Sequence, residues 1–414
     1  MTGVSRERWP LILGLWFVPA SIAISEFFLS IAALIQIINL LRRKATLALP
    51  TCFWFWLLWA ALETLVWLLS PDRAAGWSEI RHLLLLGFVL LALSAFDHSQ
   101  QLLVAWKGVF VSATVSSAVL IFEFFQRLNL HREKIAAGGD SSFYLRSGGL
   151  VHHWMVYGTI EVLVVAGLLG FWFAYKSQRR RLRPIIAINV LAVVLSLTRM
   201  TWLTCLLLLA IALAWNRSKW LWALPLVPVT LYVIAPGAVR SRVATLVDME
   251  HYSNAERLQM LGVGWRMLQD HPLTGVGPGR VEQLYESYLM PGEPVPAYHG
   301  HLHNNVVQIA AQFGIPVSLA ALLFVVCAFR DLLNARRKAT NPDGKFLTDT
   351  ALLAFIGLLF AGLFEYTYGH SLGLIMIAFT VFPALIISGN NCLISGNNCA
   401  NSPPQPRRGG CALK

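Results

Sequence analysis

Long apolar runs recur along the chain, separated by short polar or basic stretches. Twelve stand out, at about residues 10–22, 24–41, 50–69, 78–96, 103–126, 152–175, 184–198, 200–216, 218–236, 304–329, 347–367 and 370–387. Runs of about 20 apolar residues predict helices that cross a bilayer. Helices are expected because every backbone polar group must be satisfied inside hydrocarbon. The first run is short, and reads either as a re-entrant piece or as part of one helix broken before the second. A cleaved signal peptide fits less well, because no small-residue cleavage site is followed by a soluble domain. The widest interruption, 237–303, predicts one large loop on a single side. Residues 1–387 are expected to form one membrane-embedded unit that includes this loop. Ser388-Gly389-Asn390-Asn391-Cys392 recurs as Ser395-Gly396-Asn397-Asn398-Cys399, and Pro403-Pro404-Gln405-Pro406 follows. Residues 388–414 therefore read as a disordered tail.

Composition strengthens the membrane reading. Hydrophobic residues make up 56% of the 414 and charged residues only 13%, about half the share usual in soluble domains. This excludes a disordered chain, a secreted disulfide scaffold and a soluble nucleic-acid binder. The net charge of +12 has a plain source in basic loops that set topology and touch anionic lipid. Placing the N-terminus inside puts the clusters Arg179-Arg180-Arg181 and Arg336-Arg337-Lys338 inside as well. Both termini are then expected in the cytoplasm and the long loop outside. Between Arg127 and Arg146 some basic residues run against that trend. The six cysteines form no disulfide framework: Cys52, Cys205 and Cys327 lie in or beside spans, and Cys392, Cys399 and Cys411 in the tail.

Polar residues at membrane depth are costly, which makes them candidates for function. Arg199 lies on a very tight turn between two spans. It could snorkel to headgroups, or clamp an anion with its fork of donors. Glu26, Glu123 and Glu365 are expected near outer ends, where they could pair with arginines or hold a sugar. Glu63 and Glu161 read better as packing partners between helices. In the long loop, Glu256–Gln269 predicts an amphipathic helix bearing Arg257, Trp265 and Arg266. Gly275-Val276-Gly277-Pro278-Gly279 follows. Without the Lys-Ser/Thr of a nucleotide loop it reads better as a plain turn than as a phosphate cradle. The loop ends in His299-Gly300-His301-Leu302-His303-Asn304-Asn305. In an extended segment the three histidines would share a face, but no cysteine or HExxH motif supports a metal. Asn304 or Asn305 can cap the next helix, whose free N–H groups favour an anion. A neutral histidine there could accept a proton near pH 7.

Taken in order, these pieces resemble the O-antigen ligase family, which includes O-antigen polymerases and bacterial protein O-oligosaccharyltransferases. The resemblance rests on Arg146-Ser147-Gly148-Gly149 with His153, Leu197-Thr198-Arg199, Arg257 with Trp265 and His271-Pro272-Leu273-Thr274-Gly275, and His301–Ala311 with Gly314. It covers about residues 140–315. Thr198 stands where the family usually has Ser, and Gln312 where it often has Glu. The resemblance implies an all-α polytopic membrane protein of about twelve transmembrane helices with a GT-C-like architecture. It implies transfer of a glycan from undecaprenyl pyrophosphate to lipid A–core at the periplasmic face of the bacterial inner membrane, without metal or other cofactor. His303 matches the catalytic histidine, and Arg199 and Arg257 match the pyrophosphate-binding arginines. Arg146 and His153 would line the same cavity, with His301, Asn304 and Arg266 as further substrate-binding candidates. The neighbouring readings are a polymerase and a protein O-oligosaccharyltransferase. A transporter of lipid-linked glycans is more distant, since it would call for mid-membrane polar residues and an internal repeat.

Overall fold

The computed structural model describes residues 5–45, 47–136, 145–235, 237–246, 248, 252–388 and 391–393. In chain order its elements are α1 (Trp9–Trp16), α2 (Ile22–Leu41), β1 (Ala48–Pro50), α3 (Phe53–Leu69), α4 (Arg73–Leu93), α5 (Ser99–Ala136), α6 (Trp154–Ala174), α7 (Arg179–Leu195), α8 (Arg199–Trp215), α9 (Leu226–Ile234), α10 (Gly237–Ala244), α11 (Tyr252–Asp270), α12 (Val281–Leu284), α13 (Asn305–Lys338), α14 (Pro342–Ala361), α15 (Ser371–Ile387) and β2 (Asn391–Leu393). Among the described residues, six helices have the length and hydropathy to cross a membrane: α2, α4, α5, α6, α13 and α14. Three shorter apolar helices, α3, α8 and α15, accompany them. The protein is thus an all-helical polytopic membrane protein.

The first apolar run and the run at 218–236 do not each form one long helix. The first is α1, eight residues long and hence about 12 Å, too short to span alone. A turn through Phe17–Ala20 follows, and the Ser21 side chain caps α2 by accepting from Ile24 N. Leu11, Ile12 and Leu15 are buried where α1 packs on α2 and α5. The run at 218–236 is divided between a 3₁₀ turn, Lys219–Ala223, and α9.

The core lies where α6 runs along α14, with α5, α8 and α15 against them. Trp106 of α5 packs on Phe346 of α14 and Phe379 of α15, with ring centroids 5.9 and 5.0 Å apart. Apolar packing alone has little driving force in lipid, so close fit and internal hydrogen bonds set the arrangement. Glu161 accepts from Ser117 (3.2 Å), and Glu63 from Trp59 Nε1 (2.7 Å) and Tyr368 (3.3 Å). Both acids are buried links between side chains, as their sequence positions suggested.

The glycine-rich turn has a structural partner. α13 breaks at Gly314, which has φ 79°, and Pro316 lacks the N–H that would reach the Gln312 carbonyl. The exposed carbonyls are taken by the turn: Val276 N donates to Ala311 O (2.8 Å) and Gly277 N to Gln312 O (3.1 Å). In return, Ile315 N donates to Pro272 O (2.8 Å). These N–H groups are therefore committed to α13 and do not form a phosphate cradle. At Gly275, φ is +60° and an added Cβ would lie 2.4 Å from Ala311 O. Gly275→Val is expected to destabilise the protein by about 2–4 kcal/mol through strain and overpacking. A thermal midpoint unchanged by that substitution would contradict this account of the break.

At the other end, Asn391–Leu393 pairs antiparallel with Ala48–Pro50, Leu49 opposite Cys392. Residues 394–414, with the second repeat copy and the proline-rich end, lie outside the described residues.

Candidate active site

α13 begins with Asn305, and Asn304 caps it by accepting from Val307 N at 3.0 Å. The two asparagines also staple this helix start to the segment after α14. Asn304 Nδ2 donates to Leu363 O (3.0 Å), Asn305 N to Gly362 O (2.7 Å) and Asn305 Nδ2 to Thr367 Oγ1 (2.8 Å). That segment carries Glu365, 1% exposed. The asparagine pair thus accounts for how an acid distant in sequence reaches the histidines.

His303 Nδ1 lies 2.9 Å from Glu365 Oε2, and His301 Nε2 lies 3.4 Å from Oε1. The two imidazoles meet edge to face at 4.2 Å. A carboxylate only accepts, so the neutral His303 ring carries its proton on Nδ1 and leaves Nε2 open as a base. His303 holds φ +49°, a left-handed conformation that costs a side-chain-bearing residue about 1–2 kcal/mol. Strain of this kind gathers at functional sites. His299, the third histidine of the run, turns away and packs on Tyr285 at 5.0 Å.

Burial alone would raise the Glu365 carboxyl. The hydrogen bond from His303, with the positive charge that His303, His301 and His370 carry when protonated, overcomes it and holds the group below the usual carboxylate range. Burial pushes His301 down from 6.5 to about 4; Glu365 opposes the shift, and His303, His370 and His153 reinforce it. His301 is thus neutral where His303 would act. In the unfolded chain His301 takes its proton near 6.5, so acidification from there toward 4 loads the unfolded state first and stability falls. Thermal midpoints measured between pH 7 and pH 4.5 should decline, and His301→Gln should flatten that decline. An unchanged slope in the variant would count against this assignment.

One arginine is within electrostatic reach of the Glu365 carboxylate that the histidine pair contacts. Arg257 on α11 is half-buried and makes no hydrogen bond or ion pair among the described residues. Burial lowers it, while the charge of Glu365, then that of Glu256, acts in its favour. Arg199 is buried rather than reaching outward to headgroups. It donates to Thr245 O (2.6 Å) and Ser253 Oγ (2.7 Å), tying the tight turn to the start of α11. Arg146 lies over the Trp154 ring at 5.8 Å, and His153 stacks on the same ring at 4.7 Å. Burial lowers Arg146 to about 10, and Arg242, Arg199 and Arg257 all act on it. It stays charged at neutral pH. Glu123 accepts from Ser147, and Arg127 donates to the Arg146 carbonyl, so the segment bearing Arg146 is fixed from both sides.

Arg146, Arg199 and Arg257 are within electrostatic reach of one another, and Arg257 and His153 are within reach of Glu365, which His301 and His303 contact; Asn304 caps the helix that follows. Arg266 lies elsewhere. It is nine residues from Arg257, about half a helical revolution out of phase, and it binds Glu293 (2.9 Å) and Tyr288 O (2.7 Å). Its place is within the fold of the loop. The sequence did not single out His370 or the buried Arg242, and it expected Glu365 to meet an arginine or a sugar. An acid near the end of an apolar run was the available signal for Glu365.

Three ligand atoms, one each from His301, His303 and Glu365, lie within 4.8 Å of one another. This is a spacing that a divalent ion could close on. The arginine cluster provides a different kind of site: fixed positive charge for a phosphate-bearing ligand, beside a carboxylate-oriented histidine.

The fold and the site together define a polytopic membrane protein that holds a group of arginines near a carboxylate-linked histidine pair. Residues 184–325 match the family model described as O-antigen ligase. This stretch takes in Arg199, Arg257, His301, His303, Asn304 and the break at Gly314. Arg146 and His153 precede it, and Glu365 and His370 follow. No curated protein matches the chain.

Proposed function

We propose that the protein is a ligase-type glycosyltransferase that moves a glycan from undecaprenyl pyrophosphate to a sugar hydroxyl of lipid A–core at the periplasmic face of the inner membrane. The observation that carries this reading is the contact of His303 Nδ1 with buried Glu365 at 2.9 Å, facing the arginine cluster. In the reaction, His303 Nε2 removes the acceptor hydroxyl proton as the oxygen attacks the anomeric carbon. The glycosyl–oxygen bond to pyrophosphate breaks, and Arg257, with Arg199 and Arg146, stabilises the departing charge. Glu365 orients His303 and balances the imidazolium. Attack opposite the leaving group inverts the anomeric centre.

In this reading the twelve apolar segments form a GT-C-like membrane unit with both termini in the cytoplasm and residues 237–303 in the periplasm. The short extent of the second outer segment, about 127–151, favours a ligase over a polymerase. The test is transfer by purified protein supplied with undecaprenyl-pyrophosphate glycan, with lipid A–core or without acceptor, in EDTA. Glycosylated lipid A–core of inverted configuration is the expected product. Chain extension without core would replace the reading with a polymerase, and activity restored only by added divalent ion would replace metal-independent catalysis with a metal site.

A further inference from the structure

A second polar cavity opens at the same end of the bundle, separate from the arginine cluster. It has a volume of about 310 Å³ and lies between α2, α4 and the first residue of α15. Glu26 and Ser30 face it from one side of α2, Arg81 and His82 from α4, and Ser371 from α15. The spacing explains the grouping: Glu26 and Ser30 are four residues apart, one helical turn. Leu85 and Phe88 supply an apolar wall.

What sets this cavity apart is how little its polar groups satisfy one another. His82 is 4% exposed, and neither ring nitrogen has a hydrogen-bond partner among the described residues. Arg81 makes no hydrogen bond or ion pair among the described residues, although it is near enough for its charge to act on Glu26 and His82. Buried polar groups are normally hydrogen-bonded, and charges on membrane helices normally face partners or a functional cavity. A lone arginine, an acid, a neutral-capable histidine and two hydroxyls around one space call for a ligand that carries both an anion and hydrogen-bond donors. Arg81, Ser30 and Phe88 are exposed, so the rim is open toward the surface where lipid lies.

We propose that this cavity is a headgroup site for a phosphate-bearing lipid. Arg81 takes the phosphate oxygens, and Glu26 with Ser30 and Ser371 takes the hydroxyl or ammonium hydrogens beside them. His82 supplies a further contact at the inner wall, and the acyl chains leave over Leu85 and Phe88. His370 is within electrostatic reach of His82 and of the His301–His303 pair. If the proposed transfer holds, a lipid acceptor seated here lies against Ser371, the neighbour of His370 in the chain. The headgroup site does not depend on that reaction.

The test is direct binding by the purified full-length protein, with no glycan donor present. The probes are phosphatidylethanolamine against diacylglycerol of the same chains, and lipid A against its dephosphorylated form. At least one phosphorylated lipid should bind about tenfold more tightly than its counterpart, the size of one charge-assisted contact. The pair that shows the difference identifies the source of the phosphate. Arg81→Gln, on the exposed rim, should erase the difference, and Ser30→Phe should do so by filling the space. Each variant is checked for an unchanged thermal midpoint. Equal binding of both members of both pairs, or a phosphate preference that survives in a folded Arg81→Gln protein, overturns the proposal. Because no transfer is read, failure of the ligase reaction leaves this result standing, and the reverse holds as well.

Discussion

Replacing His303 with alanine is expected to lower glycan transfer by about 10²- to 10⁴-fold, the range of a positioned general base. The protein should remain folded and inserted, because the histidine caps nothing: Asn304 holds the start of α13 and Asn305 holds the 362–368 segment. A loss of rate alone would not separate a base from a packing residue. The solvent isotope effect does. If His303 accepts the proton as the acceptor oxygen attacks, transfer by the wild type slows in deuterated water, and the residual activity of the alanine variant loses that dependence. Glu365→Gln provides the second readout. The amide oxygen can still accept from Nδ1, but the negative charge that steadies the imidazolium is gone. Its loss should therefore be smaller than that of His303→Ala, with the isotope effect retained rather than absent. Full activity in His303→Ala would remove the base from the mechanism.

Why the histidine was legible and its acid only partly so follows from the kind of signal each leaves. His301, His303 and the two asparagines are contiguous, directly before an apolar helix, so cap chemistry and base chemistry could be read together. Glu365 lies 62 residues beyond His303. Its partner is fixed by backbone and side-chain bonds from Asn304 and Asn305 to residues 362, 363 and 367, which no local pattern announces. The glycine turn shows the converse. The residues 275–279 correctly suggested a turn, but its purpose depends on the carbonyls that Gly314 and Pro316 release in a different element. The apolar periodicity located the helices, yet not how each is used: α1 is a half-length helix packed against α2, although the run that encodes it continues almost into the next. Arg257, the pyrophosphate-binding candidate, and Arg266, a further substrate-binding candidate, lie on one predicted helix. Their separation onto opposite sides became decisive once Glu293 and Tyr288 were seen to engage one of them.

That difference between the two arginines gives the second large expectation. Arg257→Lys should reduce kcat/KM by about 10- to 100-fold, the equivalent of one lost charge-assisted hydrogen bond. Positive charge is retained, so long-range attraction of the donor is largely preserved. What is lost is the planar fork that grips two phosphate oxygens at once. The grip tightens as charge builds on the leaving pyrophosphate, so the loss should appear in kcat and not only in KM. Arg257→Ala should be worse than Arg257→Lys. Arg199→Lys should combine a loss of rate with a loss of thermal stability, because Arg199 also holds Thr245 and Ser253 in place. Arg257, without a protein partner among the described residues, has no such structural duty. Its lysine variant should melt like the wild type while turning over slowly. If Arg257→Lys were to turn over at the wild-type rate, the departing phosphate would have to be held elsewhere, with Arg146 and the buried Arg242 the nearest cations left to test.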